Sequence, residues 1–514
     1  MRGRSALIGL LAATLLACSP SPEVAVQGET LAGETLPSGV RVFRGIPFAE
    51  PPVGDLRWQA PQPLQTRAAR RDATQFAPAC MQSMRILEWY RDMAEIFGST
   101  RDEFEDLEVS EDCLYLNVWT PDTTPDANLP VMVYIHGGSN NSGWAYEPDY
   151  HGHALAERGV VLVSIAYRLG VFGFLSHPEL DGEALANFAL WDQIAALEWI
   201  KDNIAAFGGD PDRVMVFGES AGAQDLLALM ASRRADGLFH GAILQSNAGF
   251  GLPPRENTLE MERQRGAETA GLFGFGGDGS LAKLRTVPAS ELLETYEENF
   301  PRYYHSPAVD GQLLETSIWE VINNGELASI PFIIGVNADE NYVDTPADAD
   351  IAAVRQAIEE SVFLNDPGTL AALDGESDHR EMLDRLYTAD GMLCPSQYAA
   401  ARYENARVYY FSRVRDGEGG ATVRAYHGAE LPYTFGTHPR WMTTTETDRE
   451  LTEQILSYWT QFAAAGHPNT DGLPDWPTYS GPDGTVMEFA DTARPVPSLE
   501  PVLCRVFRDA ITRP

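Results

Sequence analysis

Basic side chains are scarce. Lys and Arg number 37 against 74 Asp and Glu, a net charge of −37 over 514 residues. A surface of that sign repels a phosphate backbone, which excludes nucleic acid as a partner. The same field favours cationic or neutral ligands over anionic ones, and it serves equally to keep an acidic surface soluble. Cysteine is sparse as well, with Cys18, Cys80, Cys113, Cys394 and Cys504 the five present. They form no CxxC pair and no HExxH occurs, so no metal site is legible and neither metal nor cofactor is expected. Internal repeats and long low-complexity tracts are missing too. The chain therefore reads as one large α/β domain with insertions rather than a string of modules.

The N-terminal apolar run, residues 6–16, is shorter than the roughly 20 residues of a membrane-spanning helix. Arg2 and Arg4 precede it and Leu15, Leu16, Ala17 and Cys18 follow, the layout of an export signal. Residues 1–18 resemble a bacterial lipoprotein signal, with Cys18 lipidated and made the mature N-terminus. An ordinary cleaved signal is the alternative, because Leu16 is not the small residue usual at that place. Either reading exports the protein, to the periplasm or outer membrane as a lipoprotein or otherwise by secretion, and the lipid is its only expected membrane contact. Residues 19–30, rich in Ser, Pro and polar side chains, read as a flexible tether to a domain over 31–514. In an exported chain the four remaining cysteines oxidise, and four cysteines allow three pairings.

The stretch VMVFGESAGAQDLLALMA, residues 214–231, organises the rest. Its apolar start, residues 214–217, reads as a buried strand, and residues 221–231 read as a helix with leucines at helical spacing. Gly218 and Gly222 allow the sharp bend between them. That bend exposes Ser220 at the strand's carboxyl end, beside a helix N-terminus whose free N–H groups suit a developing oxyanion. A second buried strand, residues 131–135, ends in His136, Gly137, Gly138, Ser139 and Asn140. A glycine pair directly after a strand lets backbone N–H groups converge on one point. Further strands are expected at 160–167, at 241–245 ending in Ser246, at 331–336 and at 408–412, with helices over 187–207 and 447–465. Alternating strands and helices predict right-handed crossovers and a mainly parallel sheet with helices on both faces. Asp339 and Glu340 follow the strand at 331–336, and His427 lies after the strand at 408–412.

The segments FRGIPFAEPPVGDLRWQAPQP at 43–63, SEDCLYLNVW at 110–119, VMVYIHGGSNNSG at 131–143 and GESAG at 218–222 resemble the type-B carboxylesterase family, which includes the cholinesterases. The resemblance recurs from about residue 33 to residue 507. It implies the α/β-hydrolase fold, with insertions covering an active-site gorge, among them residues 251–301. It implies Ser220 as nucleophile, His427 as base and Glu340 as acid. Asp339 stays the alternative acid, because Asn341 replaces the family's usual glycine. The resemblance also implies an oxyanion hole from Gly138, Ser139 and Ala221, with serine where the family usually has glycine or alanine. Supporting roles fall to Ser246, through hydrogen bonding, and to Glu219. Disulfides Cys80–Cys113 and Cys394–Cys504 are implied in the same way. No tryptophan stands where the choline-binding one of the cholinesterases would, so choline esters are not implied.

The expected function is hydrolysis of a small-molecule carboxylic ester through an acyl-enzyme, without cofactor. Amide or carbamate hydrolysis by the same residues is a second reading. A non-catalytic binding protein on this fold is a third, disfavoured by the complete Ser, Glu and His set. The acyl and alcohol pockets come from variable loops, and neither chain-length preference nor oligomeric state has a sequence signature.

Overall fold

Strands that are apolar on both faces must be covered on both faces, and that requirement builds the molecule. The structure, a computed structural model, describes residues 21–65, 69–247, 256–301, 303–373 and 376–512. Its main sheet comprises β1 Glu34–Thr35, β2 Arg41–Pro47, β3 Tyr115–Thr120, β4 Leu129–Ile135, β5 Val161–Ile165, β6 Gly209–Glu219, β7 Gly241–Gln245, β8 Phe332–Asn337, β9 Ala406–Phe411, β10 Thr485–Phe489 and β11 Ala493–Pro497. In space the order is β11-β10-β9-β8-β7-β6-β4-β5-β3-β2-β1. The strands from β10 to β5 are parallel to their neighbours. Antiparallel strands close both edges.

Side-chain alternation divides the core. Helix α1 Arg85–Ile96 lies inside the Cys80–Cys113 loop, and Val131, Val133 and Ile135 of β4 pack with the helices α2 Phe188–Asn203 and α3 Ala221–Ala231 on one face. Met132 and Tyr134 pack with Leu451, Ile455 and Trp459 of α4 Glu446–Ala465 on the other. Helix α4 starts at a capping box between Thr445 and Asp448 and stops at Gly466, in the left-handed region. From β4 the chain moves to β5 on one side, then passes back to β6 on the other. Such a reversal opens a crevice beyond the carboxyl ends of β4 and β6. The α/β-hydrolase architecture expected from the sequence is therefore the one observed.

The signal segment, with Cys18, lies outside the described residues. Two local expectations change. The tether does not persist to residue 30: Glu23–Val26 pairs with Glu29–Ala32, and Arg70–Asp72 extends this small sheet. Its composition is polar, but Val24 and Val26 alternate with exposed partners and are buried. Gln27 and Gly28 both have positive φ, 48° and 87°, as a tight hairpin turn requires. Strand β5 ends at Ile165, short of the expected 167. The chain leaves the sheet there so that Arg168 can reach α2, where its backbone N–H, Nε and Nη2 donate to Asp192 at 3.1, 2.7 and 2.7 Å.

Both disulfides are present, Cys80–Cys113 closing 33 residues and Cys394–Cys504 closing 110. Among the described residues no helix is long and apolar enough to cross a membrane. The side chains of Arg168 and Asp192 are 3% and 0% exposed. Removing one member of such a pair strands the other charge in the core, which typically costs about 3–5 kcal/mol. Asp192→Ala should lower unfolding stability by that amount in urea titrations. A loss under about 1 kcal/mol would mean that water reaches the Arg168 guanidinium, contrary to the packing described.

Candidate active site

Strand β6 delivers Ser220 and helix α3 begins at the next residue. Ser220 has φ 56° and ψ −122°, a conformation that costs a non-glycine residue about 1–3 kcal/mol and needs restraint. The restraint comes from β7: Ser220 N–H donates to the Gln245 carbonyl at 2.9 Å, and Asn247 Nδ2 donates to the Ser220 carbonyl at 2.9 Å. The bend requires glycine, because a Cβ on Gly222 would lie 2.1 Å from the Ile135 carbonyl oxygen.

His427 and Glu340 meet the serine. Ser220 Oγ lies 2.8 Å from His427 Nε2, and His427 Nδ1 lies 2.6 Å from Glu340 Oε2. With the proton on Nδ1 donated to the carboxylate, Nε2 is left to accept the serine hydroxyl proton. The second Glu340 oxygen accepts the Asn337 N–H at 2.6 Å. Asp339, the alternative acid, turns away and engages the Ala425 N–H and the Arg424 guanidinium. Asn341 does not adopt positive φ, so the turn tolerates a side chain where the family's usual glycine is missing. His438 lies apart, held by Arg415 and Thr452.

Ser246 does not supply the expected hydrogen bond. It is fully buried with φ 55°, its N–H donates to the Gly335 carbonyl at 2.7 Å, and its Oγ has no partner among the described residues. Its backbone is used and its hydroxyl is not. The amide side chain next to it, Asn247, carries the contact to Ser220.

After β4 the chain turns back over the serine. Gly138 has φ 105°, and a Cβ there would fall 1.8 Å from the Ser142 carbonyl oxygen, so only glycine fits. The Gly138 carbonyl accepts the N–H groups of Asn141 and Ser142 and Nη2 of Arg85. Among the described residues, the N–H groups of Gly138 and Ser139 donate to no acceptor. The Ala221 N–H stands at the open start of α3. At the far end of this loop Gln82 grips Gly143 twice, its Nε2 donating to the carbonyl and its Oε1 accepting the N–H, both at 2.7 Å. Gln82 lies two residues after Cys80, so the first disulfide loop touches the loop over the serine directly.

A cavity of about 280 Å³ opens in front of Ser220 and His427. Trp89 and Tyr90, from the helix Arg85–Ile96 inside the Cys80–Cys113 loop, line it together with Tyr426 and Leu431. Among the described residues of the 251–301 insertion none lines the cavity, and Glu297 hydrogen-bonds Ser83, two residues before the lining residue Arg85. Buried carboxylates give the cavity its electrostatics. Burial pushes Glu219 and Glu147 up to about 8 each, against the pull of His427 on Glu219. Burial opposes charge on His427, but Glu219 and Glu340 outweigh it and carry the imidazole up to about 10. Glu219 Oε1 lies 3.2 Å from Nε2, and the His427 side chain is 34% exposed to the cavity, which softens the burial effect.

A serine on a strand-to-helix bend of a mainly parallel sheet, faced by a carboxylate and a histidine that follow it in that chain order, defines an α/β-hydrolase. A sequence model of the carboxylesterase family matches residues 20–388 and 369–501. The chain is 35% identical over 466 residues to the para-nitrobenzyl esterase of Bacillus subtilis, covering 87% of this chain and 90% of that one. It is 32% identical over 534 residues to a fumonisin B1 esterase of Sphingopyxis macrogoltabida, covering 95% and 91%. A solved structure of a PNB esterase superposes with TM-score 0.80 at 32% identity over 96% of this chain and 99% of that one. The chain belongs to the carboxylesterase family and is a carboxylic ester hydrolase.

Replacing Glu219 by Gln removes one of the negative charges that favour the imidazolium, so the His427 pKa should fall. Modification of Ser220 by a fluorophosphonate requires neutral His427, and the acid limb of its rate should therefore move to lower pH in Glu219→Gln, by about one unit. An unmoved limb would show that Glu219 is already neutral over the working range.

Proposed function

We propose that this chain is an exported serine esterase acting through an acyl-enzyme. The observation that carries the reading is the continuous path from Ser220 Oγ to His427 at 2.8 Å and from His427 to Glu340 at 2.6 Å, beside N–H groups that have no acceptor among the described residues. As Ser220 Oγ attacks the ester carbonyl, its proton passes to Nε2 of His427 and Glu340 stabilises the imidazolium. The carbonyl oxygen becomes an anion facing the N–H groups of Gly138, Ser139 and Ala221, each worth about 3 kcal/mol of barrier lowering. His427 then protonates the departing alcohol, and water activated by the same imidazole releases the acid. The strained backbone of Ser220 keeps its hydroxyl at the cavity floor throughout.

Export is supported by the layout of residues 1–18 and by the two disulfides. If Cys18 carries a lipid, the full chain should partition with bacterial membranes and Cys18→Ala should not. Equal partitioning of the two would remove the anchor from this proposal.

Ester hydrolysis is tested with a p-nitrophenyl panel from acetate to palmitate, using protein that lacks residues 1–18. Activity should appear on at least one ester and fall about 10⁴-fold or more in Ser220→Ala. Turnover that survives Ser220→Ala would assign the chemistry to another group, and a folded parent inactive on every ester would sink the proposal.

A further inference from the structure

We infer that Asp225 and Asn140 are positioning residues for the oxyanion hole: their hydrogen bond ties the loop bearing the Gly138 and Ser139 N–H groups to the helix bearing the Ala221 N–H. The inference rests on the proposed mechanism and adds to it the device that holds its donors in register.

Asp225 lies on α3 four residues beyond Ala221, on the same helix face, and is fully buried. Its Oδ1 accepts Asn140 Nδ2 at 3.1 Å and its Oδ2 accepts Gln193 Nε2 from α2 at 2.6 Å. No basic side chain pairs with it among the described residues. A buried carboxylate with only amide donors is a costly choice for helix packing, because amides do not neutralise its charge. Its presence therefore points to the contacts it makes.

Asn140 is the other half. It too is fully buried. Its Nδ2 also donates to the His305 carbonyl at 3.1 Å, and its own carbonyl accepts the Gly170 N–H at 2.6 Å. Asn140 directly follows the oxyanion donor Ser139, and the two have φ of 58° and 59°. Two consecutive left-handed residues do not stay in place unaided. Gln82 fixes the outer end of this loop at Gly143, whereas Asp225 is the anchor at the inner end that comes from the nucleophile's own helix. Movement of α3 and of the loop is thereby coupled, and a displacement of about 1 Å at such donors is enough to cost about 100-fold in rate.

The test compares Asp225→Leu, Asn140→Ala, the double variant and Asp225→Asn on one p-nitrophenyl ester. Alongside goes inhibition by a trifluoromethyl ketone, which adds Ser220 to its carbonyl and places an anionic oxygen in the hole. Asp225→Leu and Asn140→Ala should each lower kcat by about 10–100-fold with KM within about threefold, and weaken the ketone by a similar factor. The double variant should be no worse than the worse single one, as expected of two ends of one bond. Asp225→Asn should recover to within about threefold of the parent. Its amide oxygen still accepts from Asn140, and Gln193, whose Oε1 has no partner, can turn to accept the new N–H. An active parent whose folded Asp225→Leu keeps kcat and ketone affinity overturns the inference alone, as does Asp225→Asn being as impaired as Asp225→Leu. A parent inactive on every ester overturns the proposed function and this inference together. Should Asp225→Leu fail to fold, Asn140→Ala against Asp225→Asn carries the same decision.

Discussion

Between the end of β4 and the start of α3 there is no room for a side chain, and the site depends on that closeness. A Cβ on Gly222 would meet the carbonyl oxygens of Ile135 and His136 at 2.1 and 2.6 Å, and one on Gly137 would meet Glu219 Oε2 at 2.6 Å and Ser220 Cβ at 3.0 Å. Backbone therefore packs on backbone. The helix N-terminus and the oxyanion loop can share one point only because these positions are glycine. Parallel pairing of β4 with β6 brings the two segments to the same level, and the reversal of strand order leaves the space above them open.

The electrostatics follow from the same crowding. His427 is held between carboxylates that reach it from different strands: Glu219 ends β6, and Glu340 follows β8. Asn337, the last residue of β8, ties this arrangement together. Its N–H supports Glu340, and its Nδ2 donates to the Tyr426 carbonyl, one residue before His427, and to Glu430. Burial pushes Glu430 up to about 7, so charge in this cluster is shared among groups that compete for few protons. A histidine in such a setting is oriented by geometry and tuned by how many neighbours remain ionised. The crowded carboxyl groups and the basic imidazole are thus one property of the site.

What could be read in advance was what repeats or punctuates. The strand at 131–135, the bend at 218–222 and the helix over 221–231 announce themselves through apolar periodicity and glycine spacing. The acid and histidine emerged from chain order and from resemblance. The hairpin at residues 23–32 was hidden because two alternating valines in a polar segment are too weak a signal against its composition. The resemblance implies a hydroxyl contact for Ser246, but a family position carries no information about where Oγ points. Gln82, Asn140 and Asp225 were invisible for another reason: their partners lie 61 and 85 residues away in the chain. Polar contacts of that range leave no period to detect, and an amide or carboxylate reads from sequence as a solvated side chain.

Strain and support are distributed accordingly. Ser139, Asn140, Ser220 and Ser246 all adopt positive φ without being glycine; Ser220 and Ser246 directly follow parallel strands, and Ser139 and Asn140 lie in the loop after β4. At roughly 1–3 kcal/mol each, such conformations together rival a large share of the net stability of a domain. They persist because what lies beneath cannot yield: parallel strands buried on both faces, the Arg168–Asp192 pair joining the end of β5 to α2, and a disulfide that anchors Gln82. The stability of the sheet and the irregularity of the site are therefore coupled quantities. A change that loosens the core should be felt first where the backbone is least comfortable, at the serine and the loop above it, before secondary structure is lost elsewhere.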